Sequence, residues 1–186
     1  MKFQVIENFI PKLYQEEIKN LLFDQLPWSY NSDVTYKGSK SAPAMMHSFR
    51  YGSETISPFY NAIAFMAQIG ANKIGQKLND VVMCRTFLQF PVTESFIQNS
   101  VDLLHVDIEN PHTVVLYYVI DSDGDTLIVN KQAGVPSEKH LSVDDHDIIL
   151  RVTPKQGRAL VFDGRYYHTA EQPRSNMRCV INFDII

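Results

Sequence analysis

His105 and Asp107 stand two residues apart in "LLHVDIENPHTVVLYYVIDSDGD", residues 103–125. On an extended strand, side chains at i and i+2 point to one face. An imidazole and a carboxylate presented together could give two ligands to one metal ion; a surface strand also produces such pairs with no role. A catalytic metal needs a third protein ligand on the same side and open positions for substrates. His168, in "ALVFDGRYYHTAEQP", is the best candidate, because an apolar strand ends in a turn at Asp163-Gly164 and the histidine follows at once. Two histidines and one carboxylate on one face are the donor set of non-haem Fe(II) oxygen chemistry, in which a bidentate cosubstrate and O2 take the remaining positions. The chain has six histidines, so structural or exposed histidines are the competing reading.

Arg178 opens the strand "RCVINFDI", ten residues after His168. There Arg178, Val180, Asn182 and Asp184 share one face, and Cys179, Ile181, Phe183 and Ile185 share the other. A guanidinium inside a β-rich core needs an anionic partner, since an unpaired buried charge is very costly. Its planar fork suits a carboxylate bidentately. That carboxylate could come from an internal Asp or Glu. It could equally be the distal carboxylate of 2-oxoglutarate, whose keto-acid end would chelate iron.

The elements that must position these groups change character near residue 80. Before it, "FQVIENF" reads as a short strand. Pro11 suits the first turn of a helix, and Leu13, Ile18, Leu21, Leu22 and Leu26 follow at helical spacing. Residues 27–49 read as a long polar loop punctuated by Gly, Pro and Ser, of a length that suggests a role. A second helix is predicted from Ser57 (N-cap) and Pro58 through Phe59, Ile63, Met66, Ile69, Ile74 and Leu78 to about residue 80, with Gly70 and Gly75 weakening its second half. From residue 81, "VVMCRTFLQF", "SVDLLHVD", "HTVVLYYVI", "DTLIVN", "DIILRVTP", "RALVFDG" and "RCVINFDII" are short β-rich runs separated by turn residues, the pattern of a sandwich or barrel. "DSDGD" (121–125) has its glycine at the fourth position and Gln132 at the twelfth, so it reads as a tight hairpin turn rather than a calcium loop. "EKHLSVDDHD", with His140 and His146, reads as a solvated connection.

Length and composition bound the rest. The 186 residues fit one domain, 1–186, comprising an α/β support region (1–80) and a β core (81–186). The net charge is −4 with no Lys/Arg stripe, which argues against a nucleic-acid partner. Cys84 and Cys179 are too few for a disulfide framework. "MKFQVIENFI" lacks the pattern of a signal peptide, and the longest apolar run, "TVVLYYVI", is too short to span a bilayer. A cytoplasmic setting without a membrane partner is expected.

The pattern "HVD…LYYVIDSDGDTLI…PKQGRALVFDGRYYHTA…RCVINFDI" resembles the 2-oxoglutarate/Fe(II)-dependent dioxygenases, specifically their prolyl 4-hydroxylase-like branch, over roughly residues 81–186. The opening "VIENFIPKLYQEEIKNLL" resembles the strand-plus-helix entry common there. The resemblance implies a mainly β fold with flanking helices: a double-stranded β-helix, or jelly-roll/cupin-like core, with N-terminal helices packed on the larger sheet. It implies His105, Asp107 and His168 as ligands of Fe(II) and Arg178 as the anchor of 2-oxoglutarate. Tyr118 would assist in holding the cosubstrate carboxylate, while Thr126 and Asn182 would line the same pocket. The family's usual tyrosine upstream of the first histidine is not evident, since "TESFIQNS" occupies that region; Arg85 or Gln89 would supply polar contacts instead. Residues 27–49 and 131–147 are expected as lids or substrate-recognition elements, with Arg165 and Tyr167 at the mouth of the site. The implied reaction couples oxidative decarboxylation of 2-oxoglutarate by O2 to hydroxylation of a peptidyl residue such as proline, or of a small molecule, with ascorbate as the assay reductant. Two other readings remain open: an oxidative demethylase of nucleic-acid bases, and a non-catalytic cupin-like binding module.

Overall fold

Most of the strands follow the predicted runs because β-branched and aromatic residues concentrate in them, and because several are covered on both faces, which favours continuous apolar sequence over alternation. The structure, a computed structural model, describes residues 3–35, 41–92, 101–133, 143 and 148–186. Its larger antiparallel sheet runs in the order β1 (Phe3–Ile6), β9 (Ala159–Asp163), β6 (Thr113–Tyr118), β11 (Arg178–Ile185), β5 (Val81–Gln89), β3 (Ala44–Tyr51) and β2 (Ser29–Asn31), with β4 (Glu54–Thr55) also on β3. The smaller sheet runs β10 (Tyr166–Ala170), β7 (Thr126–Gln132) and β8 (Ile148–Val152). From β6 onward the chain crosses between sheets: β6 in the larger, β7 and β8 in the smaller, then β9, β10 and β11 alternately. This is the expected double-stranded β-helix.

Both faces of β11 are buried throughout. Cys179, Ile181, Phe183 and Ile185 pack with Val115 and Tyr117 of β6 against α1 (Lys12–Asn20), α2 (Tyr60–Ile63) and α3 (Phe65–Lys73). Val180 turns the other way, joining Val114, Leu116 and Tyr118 in the core between the sheets. The helices therefore lie on the outer face of the larger sheet, through Ile18, Ile63, Met66 and Ala71. No helix among the described residues is long and apolar enough to cross a membrane.

Five expectations need correction. The span 27–49 is not one loop: it contains β2 and all but the last two residues of β3, which pairs with β5 some forty residues away. The second helix starts at Tyr60, after a turn, and ends at Lys73 rather than near residue 80, because Gly75 turns left-handed at φ 70°. Among its described residues, 101–107, "SVDLLHVD" forms no strand; it meets β10 and Glu171 through contacts that include the bridges Val101–Glu171 and His105–His168 and the hydrogen bonds of the Asp102 main chain. "DSDGD" is not a hairpin turn, since β6 and β7 belong to different sheets and it carries the chain between them. Leu13, predicted on the inner face of the first helix, is exposed. His140 and His146, "TESFIQNS" and most of the 131–147 connection lie outside the described residues.

Gly70 sets how closely α3 approaches the sheet. A Cβ there would stand 2.5 Å from Val115 Cγ2. Gly70→Ala should therefore lower stability by about 1–3 kcal/mol in denaturant unfolding, despite alanine's better helix propensity. The same substitution should cost less in a Val115→Ala background, the signature of direct contact in a double-mutant cycle.

Candidate functional site

His105 and His168 are joined by their main chains. Each N–H donates to the other residue's carbonyl oxygen, at 3.0 Å in both directions. In antiparallel pairing such residues stand about 5.5 Å apart at Cα, and the two rings lie 4.6 Å centroid to centroid. Each Nδ1 faces a carbonyl two residues back, His105 to Leu103 at 3.0 Å and His168 to Tyr166 at 3.1 Å. A proton on Nδ1 satisfies that carbonyl and leaves the Nε2 lone pair free to coordinate. Burial, reinforced by neighbouring His168, lowers the His105 pKa to about 4, so the ring is neutral near pH 7. His168 Nε2 lies 3.3 Å from Asp107 Oδ2, and ligand atoms of His105, Asp107 and His168 all fall within 4.8 Å of one another. The donor set, two imidazoles and a carboxylate converging from one side, fits Fe(II).

Asp107 is held at both oxygens. Arg85 Nη2 donates to Oδ1 at 2.6 Å and Asn182 Nδ2 donates to Oδ2 at 3.0 Å. Burial works against ionisation, but the hydrogen bond with His168 and the Arg85 charge hold the carboxyl well below its usual range. Behind it, His112 Nε2 lies 3.4 Å from Asp184 Oδ1, both side chains fully enclosed. Asp107, His112 and Asp184 form a second grouping with ligand atoms within 4.8 Å. Burial pushes the Asp184 pKa well up and the His112 pKa down.

Arg178 and Asn182 lie four residues apart on β11, opposite Gln89 and Arg85 of β5. These two cross-strand pairs mark the ends of one cavity, about 13 Å apart along the strands before side chains reach inward. The Arg178 guanidinium donates to Gly124 O at 3.1 Å, Gln89 Oε1 at 3.0 Å and Thr126 Oγ1 at 2.9 Å. Among the described residues it has no carboxylate within hydrogen-bonding distance, so the internal ion pair considered above is not found. Gln89 Nε2 in turn donates to Asp102 Oδ2 at 3.0 Å, and burial raises the Asp102 pKa to about 6.

The cavity between these ends has a volume of about 250 Å³ and is bordered by His105, Asp107, His168, Arg178, Thr126 and Asn182. Tyr118 does not line it; its hydroxyl donates to Thr126 Oγ1 at 2.8 Å from behind, and burial keeps that phenol protonated by raising its pKa to about 12. Val34 and Thr35, from the span expected to act as a lid, border the cavity. Arg165 and Tyr167 do not stand at its mouth. Arg165 is ion-paired with Asp163 and borders a separate hollow of about 450 Å³, while Tyr167 is packed with Leu104 and Val129. They flank His168 in sequence, but neighbours on a strand point away from its inner face or lie in the turn before it. The sequence reading missed Asp102, Gln172 and His112. Asp102 and His112 sit among apolar or turn residues with no periodicity pointing them inward, so nothing local signalled them.

The architecture is that of the 2-oxoglutarate/Fe(II) oxygenases, prolyl hydroxylases among them. An oxidoreductase of the 2OG-Fe(II) oxygenase family from Burkholderia pseudomallei superposes with a TM-score of 0.68 at 13% identity, covering 99% of this chain and 85% of that one. The non-heme alpha-ketoglutarate-dependent epimerase of nogalamycin biosynthesis, solved with Fe3+, alpha-ketoglutarate and nogalamycin RO, gives 0.66 at 12% identity over 100% and 78%. A prolyl hydroxylase from Trichoplax adhaerens, solved with a hypoxia-inducible-factor peptide fragment, gives 0.64 at 14% identity over 99% and 83%. No protein-family model matches the sequence, and no curated protein matches it.

Because Arg85 and Asn182 fix the Asp107 carboxylate, Arg85→Gln or Asn182→Ala should weaken divalent-metal binding by roughly 10–100-fold. Competition between the protein and a chelator for Mn(II) reads this without turnover.

Proposed function

We propose that the chain is a non-haem Fe(II) dioxygenase that couples oxidative decarboxylation of 2-oxoglutarate to hydroxylation of a second substrate, a peptidyl residue such as proline or a small molecule. One observation carries the reading: three convergent metal ligands share a cavity with a buried arginine that, among the described residues, makes no direct hydrogen bond to a carboxylate. Fe(II) held by His105, Asp107 and His168 would supply the activation of O2. The protein's own residues do the rest. Arg178 and Thr126 donate to the distal carboxylate of 2-oxoglutarate, and Tyr118 holds Thr126 in position. Arg85 and Asn182 keep the Asp107 carboxylate oriented, while Val34, Phe87, Leu116 and Val180 keep the space between the ends dry. The complexes of the two neighbours, one with a peptide fragment and one with nogalamycin RO, support both kinds of second substrate.

Succinate formation from 2-oxoglutarate under air, with Fe(II) and ascorbate, tests this without a choice of second substrate. We expect slow succinate release by the wild type and background release by His105→Ala. Arg178→Ala should lose about 2–5 kcal/mol of cosubstrate binding, the usual effect of truncating one partner of a buried charge pair. A protein that fails to bind Fe(II) and 2-oxoglutarate together would overturn the reading and favour a binding module.

A further inference from the structure

At the closed end of the cavity a single amide joins a buried cation to a buried anion. Arg178 donates to Gln89 Oε1, and Gln89 Nε2 donates to Asp102 Oδ2. All three side chains belong to residues no more than 5% exposed. Around Asp102, the β5 strand contributes Gln89. The segment before β3 contributes Ala42, whose N–H donates to Oδ1 at 3.4 Å. The chain leaving β10 contributes Gln172, whose Nε2 donates to Oδ1 at 2.5 Å. Arg178 is the charged group that faces Asp102 among the described residues.

Arg178 and Asp102 balance one another through Gln89. A dicarboxylate docked on Arg178 would set two anions against one cation in a space of low dielectric, where like charges disfavour joint ionisation. Asp102 cannot swing away. Its N–H donates to Ala170 O at 2.9 Å, and its own carbonyl accepts from Thr169 Oγ1 at 2.6 Å. A proton is the remaining adjustment, and the surroundings are prepared for one. Gln172 Oε1 is buried without a hydrogen-bond partner. Turning that amide over would exchange the donor now facing Asp102 Oδ1 for an acceptor, which an uncharged carboxyl O–H requires.

We propose that Asp102 is a cosubstrate-responsive residue, taking one proton from solvent onto Oδ1 as a dicarboxylate docks on Arg178, while the Gln172 amide turns to accept it. The inference rests on the assignment of Arg178 as the 2-oxoglutarate anchor. The O–H bond formed at Asp102 is matched by one broken in the buffer acid, so binding consumes protons. The free-state pKa of about 6 leaves Asp102 mostly ionised at neutral pH and so able to respond. A group that gains a proton on binding makes affinity fall as pH rises, by up to about tenfold per unit.

Titration calorimetry of 2-oxoglutarate into the Mn(II)-loaded protein tests this, from about pH 6.5 to about pH 8.5, in two buffers of different ionisation enthalpy. The expected result for the wild type is a buffer-dependent heat equal to proton uptake, with affinity falling as pH rises. Asp102→Asn should bind more tightly at the alkaline end, with a flat pH profile and no buffer dependence. Gln172→Met, lacking the acceptor, should take up fewer protons. Wild-type binding with equal heats in both buffers would overturn the proposal, as would uptake that persists in Asp102→Asn. Absence of any 2-oxoglutarate binding by the wild type would instead overturn the functional reading and this inference with it.

Discussion

β11 has to place Arg178, Asn182 and Asp184 inside a core that is sealed on both sides, and the rest of the molecule answers that demand. A polar group buried without a partner costs roughly 2–7 kcal/mol by transfer data. Three such groups in one strand would exceed much of the net stability of a domain this size. Two are met from other elements, Arg178 by Gln89, Thr126 and Gly124 and Asn182 by Asp107, while the Asp184 carboxyl lies 3.4 Å from His112 Nε2 with no hydrogen bond among the described residues. The order β6–β11–β5 puts the strand between two neighbours whose inward residues can reach it. The smaller sheet then closes over the stripe and turns a row of costly groups into the wall of a cavity.

Charge is distributed along that wall in alternation. Asp107 is countered by Arg85 at one end, and Arg178 by Asp102 through Gln89 at the other. Neither pair is isolated: Asn182 and His168 also hold Asp107, and Gln172 and Ala42 also hold Asp102. Such rigid, mutually oriented groups would lose little entropy on binding a ligand, which is how a small preorganised cavity gains affinity.

The parts of the fold that could be read from sequence were those whose cause is local. The face partition of β11 follows from period-two alternation, and the apolar richness of β6 follows from its double coverage. The convergence of His168 with the His105–Asp107 pair was legible because residue type and spacing singled the three out. What failed was non-local. Ala44–Tyr51 has half-buried, mixed residues and becomes a strand through β5, far along the chain. "DSDGD" looks like a hairpin turn because nothing within it records that its flanking strands enter different sheets. Arg165 and Tyr167 were drawn to the site by adjacency to His168, whereas the β9–β10 turn and the outer face of β10 carry them away. Asp102 becomes an inner carboxylate only when β5, β10 and β11 assemble around it.

The reciprocal main-chain bonds between His105 and His168 separate the frame of the candidate metal site from its furnishings. The spacing of the two positions belongs to peptide groups, which remain whatever side chains they bear. Cutting either imidazole back to a methyl or a hydrogen would leave a vacancy of defined shape, still facing Asp107 and still opening on the cavity. A small free donor such as imidazole, diffusing in from solvent, would find a seat already cut to its size, so the centre lends itself to being rebuilt from outside one ligand at a time.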